Sequence, residues 1–176
     1  YTLDKLAQDV VGLMDAAGVD KAYVVGHDWG GAVAWKLGAD HPERLNKLVV
    51  LNAPYGSVML RRLRKDPAQR KRSWYMFYFQ LPWLPELTSR RNDWQMLTNM
   101  LRRSSLPGTF SDEEIAEYKR VWSLPGAYTG MLGWYRAMRY GVGPRRQASP
   151  SGPRVAPVQV PTLLLWGAQD KFLGRE

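Results

Sequence analysis

The sequence predicts an α/β protein, with parallel sheet strands flanked by helices and an all-helical insertion between two of the strands. Three observations carry that prediction. Short apolar strand patterns at residues 22–25 and 48–51 bracket a helical segment, a βαβ rhythm that calls for parallel strands and a right-handed crossover. From residue 58 to 142 the pattern turns helical. The strand signal then returns in Pro161-Thr162-Leu163-Leu164-Leu165-Trp166-Gly167.

Taken in order, Thr2 is placed to cap a first helix whose apolar residues Leu3, Leu6, Val10, Leu13 and Ala17 recur at helical spacing, with Gly18 as its stop. Residues 22–25 form an unbroken apolar run, the pattern of a strand buried on both faces of a parallel sheet. The next helix carries Ala32, Val33, Trp35 and Leu37 and ends before His41-Pro42, and 48–51 is a second buried strand. The long helical stretch is interrupted by Pro82, Pro85, Pro107 and Pro125. Ser111-Asp112-Glu113-Glu114 before Ile115 is a capping-box start. Trp74, Trp83, Trp94, Trp122 and Trp134 crowd the same stretch. The expected organisation is core at 1–57, a helical cap at 58–142, a Gly/Pro/Arg/Ser linker at 143–157, and a core strand with its loop at 158–176. A cap inserted at that point belongs above the carboxyl edge of the sheet, where open α/β sheets bind ligands, and there it would exclude water.

A chain of 176 residues with 45% hydrophobic and 12% aromatic content can bury a substantial core. Tyr1 leads almost directly into a helix and Glu176 follows a strand and loop, so the chain is read as the interior of a larger protein. The absence of cysteine excludes disulfides, thiol catalysis and cysteine metal sites within this span. No apolar run approaches the roughly 20 residues of a membrane helix. Both features fit a cytoplasmic protein. The net charge of +9 is concentrated in Arg61, Arg62, Arg64, Lys65, Arg70, Lys71 and Arg72, with a second cluster at Arg145, Arg146 and Arg154. Such runs can touch anionic lipid or nucleic acid, but no nucleic-acid motif accompanies them, and a solvated rim is the favoured reading. No nucleic-acid partner is expected. Nothing in the pattern assigns an oligomeric state.

Chemistry concentrates in Val24-Val25-Gly26-His27-Asp28-Trp29-Gly30-Gly31, where an apolar strand runs into a helix. Small residues two positions either side of Asp28 match the nucleophile elbow, with a carboxylate where serine is usual. The glycines let strand and helix approach, and the tight turn lifts the side chain to the carboxyl end of the sheet. A carboxylate attacking an sp3 carbon becomes an ester that water can later cleave, whereas serine or thiol elbows suit acyl transfer. An aspartate after a strand can also simply cap the next helix. The flanking glycines favour the elbow. The Trp29 N–H is placed as an oxyanion-hole donor, and its indole as a pocket wall.

Asp170, in Trp166-Gly167-Ala168-Gln169-Asp170, lies just past a strand on the same sheet edge. It suits the acid that orients a catalytic histidine, or it bonds its own turn. Only His27 and His41 are present, and neither is suitably placed as that base. Tyr75 and Tyr135 sit among large apolar residues of the insertion. They are either ordinary core aromatics or phenol donors to an oxygen held above Asp28.

With these residues in view, the chain resembles the epoxide hydrolases of the α/β-hydrolase superfamily, nearest the branch of animal epoxide hydrolases 3 and 4. The resemblance covers essentially all 176 residues. Gly26-His27-Asp28-Trp29-Gly30-Gly31 is similar to the family's nucleophile motif. Tyr75-Met76-Phe77-Tyr78-Phe79-Gln80-Leu81-Pro82-Trp83 and Trp134-Tyr135-Arg136 resemble its two cap segments, with Gly133 where asparagine is often found. Trp166-Gly167-x-x-Asp170 resembles the acid segment.

The resemblance implies a partial α/β-hydrolase fold whose His-Gly-x-Pro oxyanion loop would precede Tyr1 and whose histidine would follow Glu176. It further implies hydrolysis of an apolar epoxide to a diol. Asp28 would be the nucleophile and Asp170 the acid. Tyr75 and Tyr135 would be oxygen donors, and Trp29, Phe79 and Trp134 substrate contacts. Epoxide and water are the expected small-molecule partners, membrane contact has no support beyond charge, and no metal or organic cofactor is expected. This span alone is expected to be inactive without the histidine. A haloalkane dehalogenase with the same nucleophile and a catalytically dead scaffold are the alternatives. The cap tyrosines favour the epoxide, whose oxygen needs acidic O–H donors as it becomes an alkoxide.

Overall fold

The computed structural model describes residues 1–141 and 157–175. The expected linker at 143–157 therefore lies, apart from Pro157, outside the described residues. The chain forms two compact units, one from Tyr1–Ser73 with Ala137–Glu176, the other Trp74–Arg136.

The first unit opens with α1 (Leu3–Ala16), β1 (Ala22–His27) and α2 (Trp29–Asp40). A short 3-10 turn, β2 (Leu45–Leu51), α3 (Gly56–Lys65), α4 (Pro67–Arg72) and, after the insertion, β3 (Thr162–Leu165) complete it. The strands are parallel in the order β1-β2-β3, as the βαβ rhythm requires. Register is continuous at the carboxyl edge, where His27 pairs with Leu51 and Leu51 with Leu165. Asp28 N–H extends that row to Leu51 O at 3.4 Å, and Asn52 N–H extends it to Leu165 O at 3.0 Å.

Helix α2 packs across β1 and β2, and α1 packs on α2. Val33, Ala34 and Leu37 of α2 and Leu48 and Val50 of β2 are all buried, and burying each large aliphatic side chain there is worth roughly 2 kcal/mol. Lys36 joins the two helices by pairing with Asp4 and Asp40, each at 2.7 Å. Arg44 closes the α1–β1 turn through Asp15 Oδ1 and the carbonyls of Val19 and Asp20.

Three sequence expectations need correction in this unit. Strand β1 is not buried on both faces: Tyr23 and Val25 are 71% and 65% exposed, because α2 covers only the opposite face, on which Gly26 is buried. Likewise β3 is exposed along its length. In α1 the buried residues are Ala7 and Met14, whereas Leu13 is 70% exposed, and Thr2 makes no side-chain capping bond. Gly18 does end the turn, at φ +66°.

The second unit contains α5 (Trp74–Tyr78), α6 (Leu84–Ser104), α7 (Asp112–Ser123) and most of α8 (Ala127–Gly141). Its core is aromatic: Phe79, Trp94, Leu97, Trp122, Tyr128 and Leu132. The polar ends of these rings are satisfied, with Trp94 Nε1 donating to Ser123 Oγ and the Tyr128 hydroxyl bonded to Ser89 Oγ at 2.7 Å. Trp74 and Trp83 stay exposed. The capping box at Ser111 forms as expected: Glu114 N–H donates to Ser111 Oγ and Ser111 N–H to Glu114 Oε2. Pro85 does not interrupt a helix; it occupies the first turn of α6, where its missing N–H costs nothing. The break in α6 falls instead at Arg91–Trp94, where Asn92, Asp93 and Trp94 take positive φ. Helices α3 and α4 fall within the sheet-bearing unit.

Candidate active site

Asp28 occupies a single-residue turn between β1 and α2 at φ 53° and ψ −122°. A non-glycine residue there stores roughly 1–3 kcal/mol of strain, which the surrounding contacts must hold. What holds it is close packing of small residues. A Cβ at Gly26 would lie 2.4 Å from Gly30 O and 2.7 Å from Ala34 Cβ; one at Gly31 would lie 2.4 Å from Ala53 Cβ. By contrast a Cβ at Gly30 would meet nothing within 4 Å. The close approach therefore depends on Gly26 and Gly31, where the motif had pointed to Gly26 and Gly30. Gly31→Ala is expected to cost about 3 kcal/mol by forcing α2 off β2. Gly30→Ala should leave stability within about 1 kcal/mol of the parent, since alanine is the better helix former. Urea denaturation of both variants checks this contrast.

The Asp28 carboxylate is exposed and makes no capping hydrogen bond with α2. Its carbonyl accepts the first bond of α2, from Ala32 N–H at 3.1 Å. Trp29, half-buried, opens the helix, where backbone N–H groups lack an acceptor four residues back and the dipole favours negative charge. His27 is exposed beside Asp28. His41 lies at the far end of the 12-residue α2, about 18 Å along its axis, near Glu43.

Asp170 sits beyond β3 and is tightly held. Its Oδ1 accepts from Phe172 N–H at 2.7 Å and Leu173 N–H at 2.9 Å, and its Oδ2 from Asn52 Nδ2 at 2.5 Å. It therefore bonds its own turn and, in addition, the end of the neighbouring strand. Asn52, at φ 46°, also accepts Gly167 N–H through Oδ1 at 3.0 Å. Buried Gln69 on α4 holds the loop from its other side, donating to Phe172 O and accepting Gly174 N–H. Neither Asn52 nor Gln69 was singled out from sequence. The signal for Asn52 was available: an asparagine directly after a buried strand, in Leu51-Asn52-Ala53-Pro54, is a residue type that tolerates left-handed backbone. Gln69, inside a basic helix, carried none.

In the second unit, α5 and α8 bring Tyr75 and Tyr135 together. Their ring centroids are 5.9 Å apart in an edge-to-face contact. Phe79, expected to touch substrate, is only 7% exposed and contacts both rings at 5.8 and 4.9 Å, backing the pair. Trp134 is half-buried beside Tyr135. Two further residues missed by sequence reasoning fix the arrangement. Gln80 Nε2 donates to Tyr135 O at 2.6 Å. Arg136 donates to the carbonyls of Phe79 and Leu81 and pairs with both carboxylate oxygens of Glu86, at 2.6 and 2.9 Å.

The bonds from Arg136 hold the Glu86 carboxyl below the ordinary carboxylate range, against the opposing push of its burial. A depressed folded-state pKa contributes stability above the unfolded value of about 4.3, and that contribution is lost as pH falls through the folded value. Glu86→Gln is therefore expected to lower the melting temperature at pH 7, with the difference from the parent shrinking below about pH 4. Thermal melts at both pH values test it.

A cavity of about 370 Å³ in the first unit is lined by Trp35, Tyr55, Val58, Gln69, Trp166 and Leu173, among others, but not by Asp28. No His/Cys/Asp/Glu cluster suited to a metal occurs among the described residues, and no described helix is long and apolar enough to cross a membrane.

Known proteins are similar to this chain in sequence and fold. The AB hydrolase superfamily protein YfhM of Bacillus subtilis is 40% identical over 176 residues, covering all of this chain and 59% of that protein. Human epoxide hydrolase 4 is 34% identical over 178 residues, covering 98% of this chain and 47% of its own. Among solved structures, a metagenomic epoxide hydrolase from hot environments has 31% identity and a TM-score of 0.77, over 99% of this chain and 60% of its own. An epoxide hydrolase from Bacillus megaterium bound to its diol product has 25% identity and a TM-score of 0.77, over 100% and 62%. The chain thus spans about half to three fifths of the length of these relatives. Residues 1–175 match the family described as the alpha/beta hydrolase fold, and with the parallel sheet and the strained turn at Asp28 this chain belongs to that family.

Proposed function

We propose that the protein carrying this chain hydrolyses apolar epoxides to vicinal diols through an ester on Asp28. The observation that carries the reading is the Asp28 turn: a carboxylate, exposed and without a capping bond, held in strained backbone at the start of a helix. Relatives named epoxide hydrolases support the substrate class.

In this scheme the unit 74–136 acts as a cap, and Tyr75 and Tyr135 donate their O–H groups to the epoxide oxygen. Asp28 attacks one ring carbon from the back side, the C–O bond breaks, and one of the two phenols gives its proton to the oxygen, which becomes the hydroxyl of the ester; the proton later taken from water restores that phenol. Trp29 and Trp134 contact the substrate while Phe79 backs the two phenols. In the second step a histidine activates water against the ester carbonyl, with Asp170 orienting its ring. Neither His27 nor His41 fills that role in this scheme, and residues 1–176 alone are inactive. The Trp29 N–H holds the oxyanion, a contribution of roughly 3 kcal/mol per donor. Diol departs and the carboxylate is restored.

Rapid-quench mass spectrometry of the intact protein with an aryl epoxide tests the reading. The expected result is transient addition of one substrate mass to the peptide containing Asp28. Turnover without any such addition would reject it.

A further inference from the structure

We infer that Asn52 is a positioning residue for the ester-hydrolysis step, fixing which oxygen of Asp170 faces the base. The inference rests on the proposed role of Asp170 as triad acid and adds to it a residue and an atom. Three bonds made by Asn52 converge on this one function. Its backbone N–H continues the β2–β3 ladder to Leu165 O. Its Oδ1 takes the N–H of Gly167, a group that can only donate. The amide orientation is thereby settled, and Nδ2 must point at Asp170 Oδ2, 2.5 Å away.

The consequence lies in how the carboxylate's acceptor positions are shared. Oδ1 takes two backbone N–H groups, from Phe172 and Leu173, and so has both in-plane lone pairs engaged. Oδ2 takes the Asn52 amide alone and keeps one acceptor direction open. Oδ2 is therefore the atom that receives the imidazole N–H, and Asn52 sets the direction in which its remaining lone pair points.

Asparagine suits the position better than its neighbours in chemistry. Aspartate would set an acceptor against an acceptor, serine is too short to span Gly167 and Asp170, and glutamine tolerates the φ of 46° poorly. Gln69 secures the far side of the same loop through Phe172 O and Gly174 N–H, so the carboxylate is braced at both ends.

The test is Asn52→Gly in the intact protein, which keeps the left-handed backbone accessible and removes only the amide. Styrene oxide serves as probe, and ester formation and decay are followed separately by rapid-quench mass spectrometry. Ester formation is expected within about twofold of the parent, and decay slower by about tenfold or more. Because decay then limits turnover, kcat and KM should fall together and leave kcat/KM unchanged. A merely structural role would instead lower kcat/KM. The pH limb for decay should also move to lower pH, since a misaligned carboxylate stabilises the imidazolium less. Unchanged decay, or equal slowing of both steps, would overturn the assignment. If Asn52→Gly does not fold, Asn52→Ser carries the same expectation, and failure of both to fold would make Asn52 a fold residue and overturn it as well. A parent enzyme that turns over without forming an ester would reject the covalent scheme itself and this inference with it.

Discussion

Asp28→Ala is expected to reduce epoxide turnover by at least about 10⁴-fold, with no substrate mass appearing on the protein at any time. The size follows from the chemistry: with the attacking carboxylate gone, no ester can form, and the acid and base of the second step have nothing to act on. Stability should barely change. The carboxylate is exposed and does not cap α2, so its removal leaves no buried partner unsatisfied. Alanine keeps the φ of 53° at a strain similar to that of aspartate. A variant that is inactive and melts within a few degrees of the parent is the expected pair of results. Loss of activity together with loss of fold would instead assign Asp28 a structural role. Retained turnover would remove it from the mechanism.

How much of this was legible beforehand depended on whether the signal was local. The turn at Asp28 could be read because the strand, the small residues and the nucleophile are neighbours in sequence, and the same holds for the capping box at Ser111 and the stop at Gly18. Burial was harder. Tyr23 and Val25 carry the composition of a core strand, yet exposure depends on what lies against each sheet face, and apolar content alone does not encode that. Leu13 falls on the helical period of α1, but the buried residues are Ala7 and Met14, so small and flexible side chains took the burial expected of leucine. Least legible were the residues that act across the chain. Asn52 and Asp170 are 118 positions apart, Gln69 and Phe172 103, and Arg136 and Glu86 50. Their partnership is a product of the fold, and only the residue type at Asn52 hinted at a special backbone. The chemistry-bearing side chains were thus legible as candidates, whereas the groups that hold them were not.

The combined substitution Tyr75→Phe with Tyr135→Phe is expected to slow ester formation by about 10³-fold or more while leaving ester decay within a few-fold of the parent. The asymmetry is the informative part. An epoxide oxygen becomes an alkoxide only during ring opening, so donors aimed at it lower that barrier and no other. Removing one such donor typically costs 10²–10³ in rate, roughly 3 kcal/mol, and a pair acting on one atom is not additive. Phenylalanine preserves the packing on which the pair depends. The two rings meet edge-to-face at 5.9 Å, both contact Phe79, and Tyr135 is held through its carbonyl by Gln80, so loss of the hydroxyls leaves these contacts intact. Arg136→Met probes the opposite case, since it keeps both hydroxyls and releases the ties of α8 to Phe79 O and Leu81 O, just after α5, and to Glu86 on α6. It should therefore destabilise the unit by about 2 kcal/mol and slow ring opening through misplacement alone. If the phenols are instead ordinary core aromatics, the double phenylalanine variant will open epoxides at the parent rate, and any defect will appear in stability. A dehalogenase would separate itself differently: a halide needs no proton on departure, so release from a chloroalkane would be fast in the parent and largely indifferent to the two hydroxyls.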